Sequence, residues 1–252
     1  MMINNQPETY FYGQGEVLLA RRDANGQPET WYWVGDVSAL SMAISVQAFN
    51  HQESYTGQRT TVRRINTGKD GTVTSTWHDF GAKNLALLLY GEAAIIPAGT
   101  VTGEMLPSGI TAGQMFDLKH QQVSDVEIGT LVEGTDYDLD PAFGMIKFKT
   151  AQSTAPSVNY SYAESFNTTI FTEQPPELAF RYQGINLAEG GANVLVELYR
   201  LKFDPVAALE LITNANNLAG MQTTASLLFD SSKGKDPQFG QVGRLVHIGG
   251  PV

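Results

Sequence analysis

The sequence predicts a mainly β protein with one short helix and an inserted small β subdomain. Glycine occurs 25 times in 252 residues and separates many short segments. In several of these segments apolar and polar side chains alternate with the period of two that half-buried strands show. A single segment has its apolar residues at helical spacing. A chain of this length can bury a large core without a metal or a disulfide.

Three strands are predicted in the first fifty residues. Residues 15–23 form the first, and residues 30–37, rich in aromatic and β-branched side chains, form the second. The third covers residues 38–47 and has the clearest alternation. Its two faces carry different side chains, Leu40, Met42, Ile44 and Val46 on one and Ala39, Ser41, Ala43, Ser45 and Gln47 on the other. We expect the first face to pack in the core and the second to be a small, uncharged surface.

Two further strands are predicted beyond a polar loop at residues 49–58. They cover residues 59–66 and 72–80. Between them, Asp70 and Gly71 suit the positive backbone angles of a tight hairpin turn. The sequence therefore predicts a hairpin here.

The one predicted helix follows at residues 81–90. Its apolar residues recur at helical spacing, namely Ala82, Leu85, Ala86, Leu88 and Leu89. Asp79 is the candidate N-cap, and Gly91 lies where a helix of this length ends.

The middle of the chain has the character of an insertion. Residues 97–165 open with Pro97 and Gly99, contain short alternating runs, and carry nine acidic but only three basic side chains. We expect them to form a small β subdomain within a larger β domain made of residues 1–96 and 166–252.

The last third of the chain returns to longer strands. Residues 177–188 and 192–203 predict a hairpin, and both faces of its second strand are apolar, which is typical of a central strand. Residues 205–212 fit a helix or a strand, and we favour a helix. Residues 222–230 and 238–248 predict the closing strands.

Composition excludes several classes of function. The net charge is −10, so the chain lacks the basic footprint of a protein that binds nucleic acid tightly. It contains no cysteine, and its four histidines are too far apart in sequence for a common metal motif. The first residues do not resemble a signal peptide, and the apolar runs are too short to cross a bilayer. We therefore expect a soluble protein without a cofactor, a metal or a membrane partner.

No catalytic residues are predicted. Asp136, Asp138 and Asp140 have the spacing of a calcium loop, but Pro141 and Lys147 replace the glycine and glutamate that such a loop needs. An acidic, solvated strand face is the favoured interpretation of these carboxylates. A glycosidase pair such as Glu197 with Glu210, or Glu127 with Glu133, stays open as a hypothesis, although pairs of this kind arise by chance among 26 acidic residues.

Two segments are candidates for contacts between subunits. The N-terminal arm holds Tyr10, Phe11 and Tyr12 outside any periodic element, where they either cover this chain's own core or anchor in a neighbour. The second segment joins a polar loop to a basic strand, and its candidates are His51, Glu53, Tyr55, Arg59 and Arg63, with Arg64 beside them. Arg59 and Arg63 are expected on one strand face and Arg64 on the other. The arginines favour an acidic neighbouring subunit over a phosphate, because a lone basic patch on an acidic chain is a poor nucleic-acid site.

Taken together, these segments resemble the major tail tube proteins of long-tailed, siphovirus-like bacteriophages. The resemblance rests on strand order and texture over most of the chain, at residues 15–23, 31–47, 59–80, 84–91 and 132–148. It implies a β-sandwich or barrel subunit with one flanking helix, which forms hexameric rings that stack into a hollow tube in the virion. Residues 38–47 and 59–66 would be barrel strands, while residues 49–58 and the arm would contact neighbouring rings.

The same resemblance implies the partners of such a subunit. It would be made in the host cytoplasm, assemble around a tape measure protein, meet a tail terminator, and let DNA pass without specific binding. The alternative is a carbohydrate-binding β-sandwich module of an adhesin or tail fibre, whose sugar platform would use Trp31, Trp33 or Trp77.

Overall fold

A computed structural model describes residues 8–214, 216, 218–234 and 236–249. The protein is mainly β, with 52% of its residues in strands and one short α-helix among the described residues. The chain divides into two compact units. The first contains the residues up to Glu92 and those from Thr169 onward, and the second contains Ala93–Thr168, where the sequence had suggested residues 97–165.

The first unit is built on one eight-stranded antiparallel sheet. Its first four strands are β1 (Gly13–Arg22), β2 (Pro28–Trp33), β3 (Val37–Gln52) and β4 (Thr61–Trp77). After α1 (Ala82–Leu88) and the whole second unit come β13 (Leu178–Asn186), β14 (Ala192–Phe203), β15 (Met221–Leu227) and β16 (Gly243–Ile248). The strand order is β2-β1-β13-β14-β15-β4-β3, and β16 also pairs with β14.

The connection between β2 and β3 requires this sheet to curl. The two strands lie at opposite ends of the strand order, which would place them about 29 Å apart in a flat sheet. Only residues 34–36 join them, and so short a link spans at most about 14 Å. The two ends of the sheet therefore approach each other around the core.

The core of the first unit lies inside this curved sheet. Its buried side chains come from both halves of the curve and from the helix, namely Val17, Leu19, Val34, Val73, Trp77, Leu87, Leu88, Leu178, Phe180, Leu198, Leu201, Phe203, Met221 and Ala225. The buried Asn84 of α1 donates hydrogen bonds to the carbonyls of Val34 (2.8 Å) and Asp79 (3.0 Å). These bonds fix the helix against the link between β2 and β3.

The structure confirms the predicted helix but not its predicted N-cap. Gly81, not Asp79, is the N-cap residue. The Asp79 carboxylate instead accepts a hydrogen bond from the Gly81 amide (2.9 Å) before the helix begins. Tyr90, with a φ of 53°, and Gly91 follow the helix and turn the chain.

The second unit has its own core and three small antiparallel sheets. Its strands are β5 (Ala93–Ile96), β6 (Gly99–Met105), β7 (Met115–Asp117), β8 (Val123–Ile128), β9 (Tyr137–Asp140), β10 (Met145–Phe148), β11 (Ser157–Tyr162) and β12 (Ser165–Thr168). The sheet orders are β7-β10-β9, β6-β11-β8 and β12-β5. Ile146, Phe148 and Val158 are fully buried at the centre of this core.

The predicted hairpin of the last third is confirmed. β13 and β14 pair in antiparallel register from Leu178 opposite Leu201 to Asn186 opposite Ala192. β14 is also central, because β15 and β16 pair with its other edge.

Two other predictions for this part of the chain need correction. Residues 205–212 form no helix; the Val206 amide donates to the Leu88 carbonyl (2.9 Å), and Val206 and Leu209 pack on the core, so tertiary contacts override the local pattern. The last strand is also shorter than predicted and begins at Gly243.

Candidate assembly surface

The outstanding feature of the first unit is the length of the β3–β4 hairpin. β15 pairs with β4 only from Thr72 to Trp77. Residues 61–71 of β4 pair with β3 alone, so a two-stranded ribbon about 35 Å long extends beyond the sheet. Both ribbon edges lack a strand partner within the described chain.

This hairpin corrects the predicted turn at residues 67–71. The chain runs straight through Asp70 and Gly71 as part of β4, and Ser45 and Ile44 pair opposite them. The turn lies earlier in the chain, between Gln52 and Thr61, and β3 continues through the first part of the predicted loop. Gly71 lies close to Leu227, and a Cβ there would lie 2.5 Å from a methyl group of Leu227, which would have to shift.

The pairing register decides which side chains share a face of the ribbon. Directly opposite residues point to the same side. Val46 pairs with Lys69 and Asn50 with Arg64 on one side, while His51 pairs with Arg63 on the other. A register shift between Gln47 and Ala48 leaves one extra residue in β4, which keeps the alternation of β3 unbroken.

One face of the hairpin carries an exposed apolar stripe, formed by Met42, Ile44 and Val46. Leu40 packs against the core, but beyond it Met42 and Val46 are exposed and Ile44 is 72% exposed. The prediction that this whole face lies in the core is therefore wrong. The reason is that the core ends where β15 leaves β4, while the alternation of β3 continues outward.

The opposite face near the base of the hairpin is rich in hydroxyl groups. Its side chains are small or polar and uncharged, namely Ala39, Ser41, Ala43, Thr72, Thr74 and Thr76, and Gln222 and Thr224 of β15 continue it. The Ser41 and Thr74 hydroxyls are hydrogen-bonded to each other across the strands (2.7 Å). This part of the surface agrees with the predicted small, uncharged face.

The tip of the hairpin is organised by Glu53. Its side chain is buried under the turn and accepts hydrogen bonds from the amides of Tyr55 and Thr56 (2.8 Å each) and from the Thr56 hydroxyl. The Thr56 hydroxyl and these amides lower the pKa of Glu53 to about 2. Glu53 therefore orders the turn and is not free to contact a neighbour, whereas Tyr55 is one of the most exposed aromatic side chains described.

The hairpin is basic although the chain is acidic. Residues 37–77 contain four basic side chains, Arg59, Arg63, Arg64 and Lys69, against two acidic ones, Glu53 and Asp70. None of the four basic groups forms a salt bridge within the part of the chain that the structure describes. Arg59 lies in the turn with a φ of 51°, so the prediction that it shares a strand face with Arg63 is wrong.

The aromatic arm is held by its backbone, which leaves its rings exposed. Asn186 accepts a hydrogen bond from the Tyr12 amide (2.8 Å) and donates one to the Tyr10 carbonyl (2.7 Å). The Tyr10 amide also donates to Glu189 (2.8 Å). The rings of Tyr10, Phe11 and Tyr12 remain more than half exposed.

A groove of about 770 Å³ connects the arm with the base of the hairpin. Leu40 and Met42 line one side of it, Tyr182 and Val196 line another, and Phe11 and Tyr12 also border it. Met42 thus belongs both to the apolar stripe and to the groove, which Phe11 and Tyr12 of the arm also border.

The structure brings the sequence-predicted candidates together in two groups. His51, Glu53, Tyr55, Arg59 and Arg63 all lie in the outer part of the hairpin. Tyr10, Phe11 and Tyr12 lie in the arm, where Phe11 and Tyr12 border the groove. Sequence reasoning missed Met42, Ile44 and Val46, which it placed in the core. Their only distinguishing signal is that they lie on a strand of 16 residues, much longer than a typical strand of five or six.

Trp77, considered for sugar binding, and Glu197, considered for a glycosidase pair, are held by contacts within the chain. Trp77 is fully buried and donates its indole N–H to Ser75 (2.8 Å), so of the three tryptophans only Trp33, 57% exposed, presents most of its surface. The Glu197 carboxylate is held by Arg181 (2.9 Å) and Arg244 (2.6 Å). Among the described residues no group of three or more His, Asp or Glu side chains has the geometry of a metal site, and no helix there is long and apolar enough to cross a membrane.

Fold and surface together define a mainly β protein with an inserted β unit and a long, partly unpaired hairpin. A family model described as "Protein of unknown function UCP028589" matches residues 10–246. The chain therefore belongs to this family. No curated protein matches the chain.

Proposed function

We propose that this protein is a structural subunit that assembles with copies of itself into stacked hexameric rings, which form the hollow tail tube of a long-tailed bacteriophage. The observation that carries the proposal is the β3–β4 hairpin, a ribbon with an exposed apolar stripe and two free edges. Free strand edges and large apolar patches are normally covered, because both promote association. Pairing between copies would cover both.

The instability of a lone ribbon supports the same function. Two strands without a third strand or a packed face are at best marginally stable in water. A ribbon of nine residue pairs that extends beyond its own sheet therefore needs a surface on which to dock. A closed ring of subunits supplies that surface and leaves no strand edge free.

The hydroxyl-rich face offers a lining for the channel of such a tube. Close to the sheet it carries Ser, Thr, Ala and Gln side chains and no lysine or arginine. An uncharged surface gives DNA phosphates no counter-charge to bind, so DNA could pass without sticking. The tape measure protein would occupy the same channel during assembly, and the tail terminator would end the tube of a completed virion.

Electron microscopy tests the proposal directly. Purified protein is imaged in negative stain over a concentration series, with and without residues 1–14, which include the arm. The expected result is rings or hollow tubes with six-fold symmetry, and their loss when the arm is deleted would make the arm part of the assembly. Monomers at every concentration, together with binding on a glycan array, would instead support a carbohydrate-binding module.

A further inference from the structure

A second exposed apolar segment lies between β14 and β15. Residues 204–214 contain no regular secondary structure. Val206 and Leu209 anchor the segment on the core, but Leu211 and Ile212 beyond them are 80% and 94% exposed. Long irregular loops of this kind are uncommon in compact domains unless they have a function.

The charge of this segment is opposite to that of the hairpin. It contains Asp204 and Glu210 and no lysine or arginine. Both carboxylates are exposed, and neither forms a salt bridge with a described residue. The four basic side chains of the hairpin are likewise without a salt bridge there, so each segment has charges that the other can neutralise.

The arrangement of the charges around the apolar groups also matches. On the hairpin, Lys69 lies directly opposite Val46, at the outer end of the apolar stripe, and Arg64 lies further out on the same face. In the loop, Glu210 directly precedes Leu211 and Ile212. Each surface therefore has an apolar patch with a charge at its end, and the two charges are of opposite sign.

We propose that residues 204–214 of one copy dock on the apolar stripe of the hairpin of a second copy, with Leu211 and Ile212 against Ile44 and Val46 and with Glu210 beside Lys69 and Arg64. Neither surface is covered by the part of its own chain that the structure describes, because Ile44 and Ile212 are both largely exposed there. Two different patches in contact make a heterologous interface, which generates rings or filaments. This inference rests on the proposed self-assembly and names the contact that makes it.

Two blocked variants in trans provide the test. Ile44→Asp blocks the hairpin and keeps the loop, whereas Ile212→Asp blocks the loop and keeps the hairpin. Each variant alone should stay monomeric in sedimentation velocity at concentrations where the wild type assembles. Their mixture should form a 1:1 dimer that does not grow, because only one intact loop and one intact hairpin face each other. Ile170→Asp is the matched control, since Ile170 is also an exposed isoleucine of an irregular segment in the same unit, and it should assemble as the wild type does.

Charge reversal provides a second test that leaves the apolar groups unchanged. Lys69→Glu and Glu210→Lys should each raise the concentration needed for assembly by about tenfold at low salt, which corresponds to about 1.4 kcal/mol. An equimolar mixture of the two should recover part of the loss, and the effect should shrink as salt screens the charges. Circular dichroism and thermal melting establish that every variant is folded.

Three outcomes would overturn the inference. Normal assembly of Ile212→Asp would show that the loop is not part of the interface. Dimers of each variant alone would show that like patches pair with like. A mixture that remains monomeric while the wild type assembles would show that the hairpin docks elsewhere. In all three cases the proposed function survives, whereas a wild type that never assembles would overturn both.

Discussion

Replacing Ile44 by threonine measures how much the apolar stripe contributes to assembly. Full burial of an isoleucine side chain is worth about 1.5–3 kcal/mol. Because 72% of Ile44 is exposed in the free chain, docking gains about 1–2 kcal/mol from it. Threonine keeps the β-branch that suits a strand and one of the methyl groups, so Ile44→Thr should remove about 1–1.5 kcal/mol for each docked hairpin.

That loss weakens each contact roughly tenfold. The assay is the critical concentration for assembly, measured by light scattering and pelleting, and it should rise by about that factor or more. The unfolding midpoint in urea should stay unchanged, because the side chain is exposed in the free subunit. Ile170→Thr serves as the control and should not change the critical concentration. If Ile44→Thr assembled as readily as this control, the stripe would not be an interface.

Three further predictions concern the parts that position this surface. Ser75→Ala should lower the free energy of unfolding in urea by about 1–3 kcal/mol, because the buried Trp77 indole loses its acceptor. Ser41→Ala on the exposed face is the control and should lower that free energy only a little. Equal losses of stability in the two variants would contradict the reasoning. Since the folded pKa of Glu53 is lowered to about 2, its carboxyl should titrate near pH 2 by NMR. The order that this carboxylate gives the turn should be present above pH 4.5 and lost as the pH falls towards 2. A titration midpoint near 4.5 would show that the hydrogen bonds do not form. Asn186→Ala should release the arm, so that the amide of Tyr12 exchanges hydrogen faster while the core amides stay protected; unchanged exchange would mean that another contact holds the arm.

The sequence is sufficient to predict the strands and helices whose side-chain pattern agrees with the contacts that they make in the fold. The β13–β14 hairpin combines two apolar strands with a glycine-rich turn, and both its strands and its turn are confirmed. The helix is confirmed because its spacing differs from that of every neighbouring segment. In both cases the side-chain pattern alone is decisive, whatever lies around the element.

Other features depend on contacts that a pattern does not contain. An apolar face looks the same in sequence whether it packs on its own core or on another chain, so Ile44 was placed in the core. Asp70 and Gly71 fit a turn, but in the structure Gly71 makes room for Leu227 within a continuous strand. The segment at residues 205–212 fits a helix or a strand by its pattern, and the prediction of a helix is wrong because the contacts of Val206 and Leu209 with the core determine its path. Each error concerns a place where tertiary contacts outweigh local preference.

The distribution of charge on the proposed assembly surface opposes indiscriminate pairing between copies. A long apolar ribbon with free edges would aggregate if its copies paired indiscriminately, and natural proteins prevent this by placing charges on edges. Here the ribbon carries four basic side chains against two acidic ones, while the chain as a whole has a net charge of −10. Two hairpins therefore repel each other, whereas a hairpin is attracted to the acidic remainder of another copy. The same side chains that oppose edge-to-edge pairing would favour the proposed heterologous contact, so one pattern of charge would serve both.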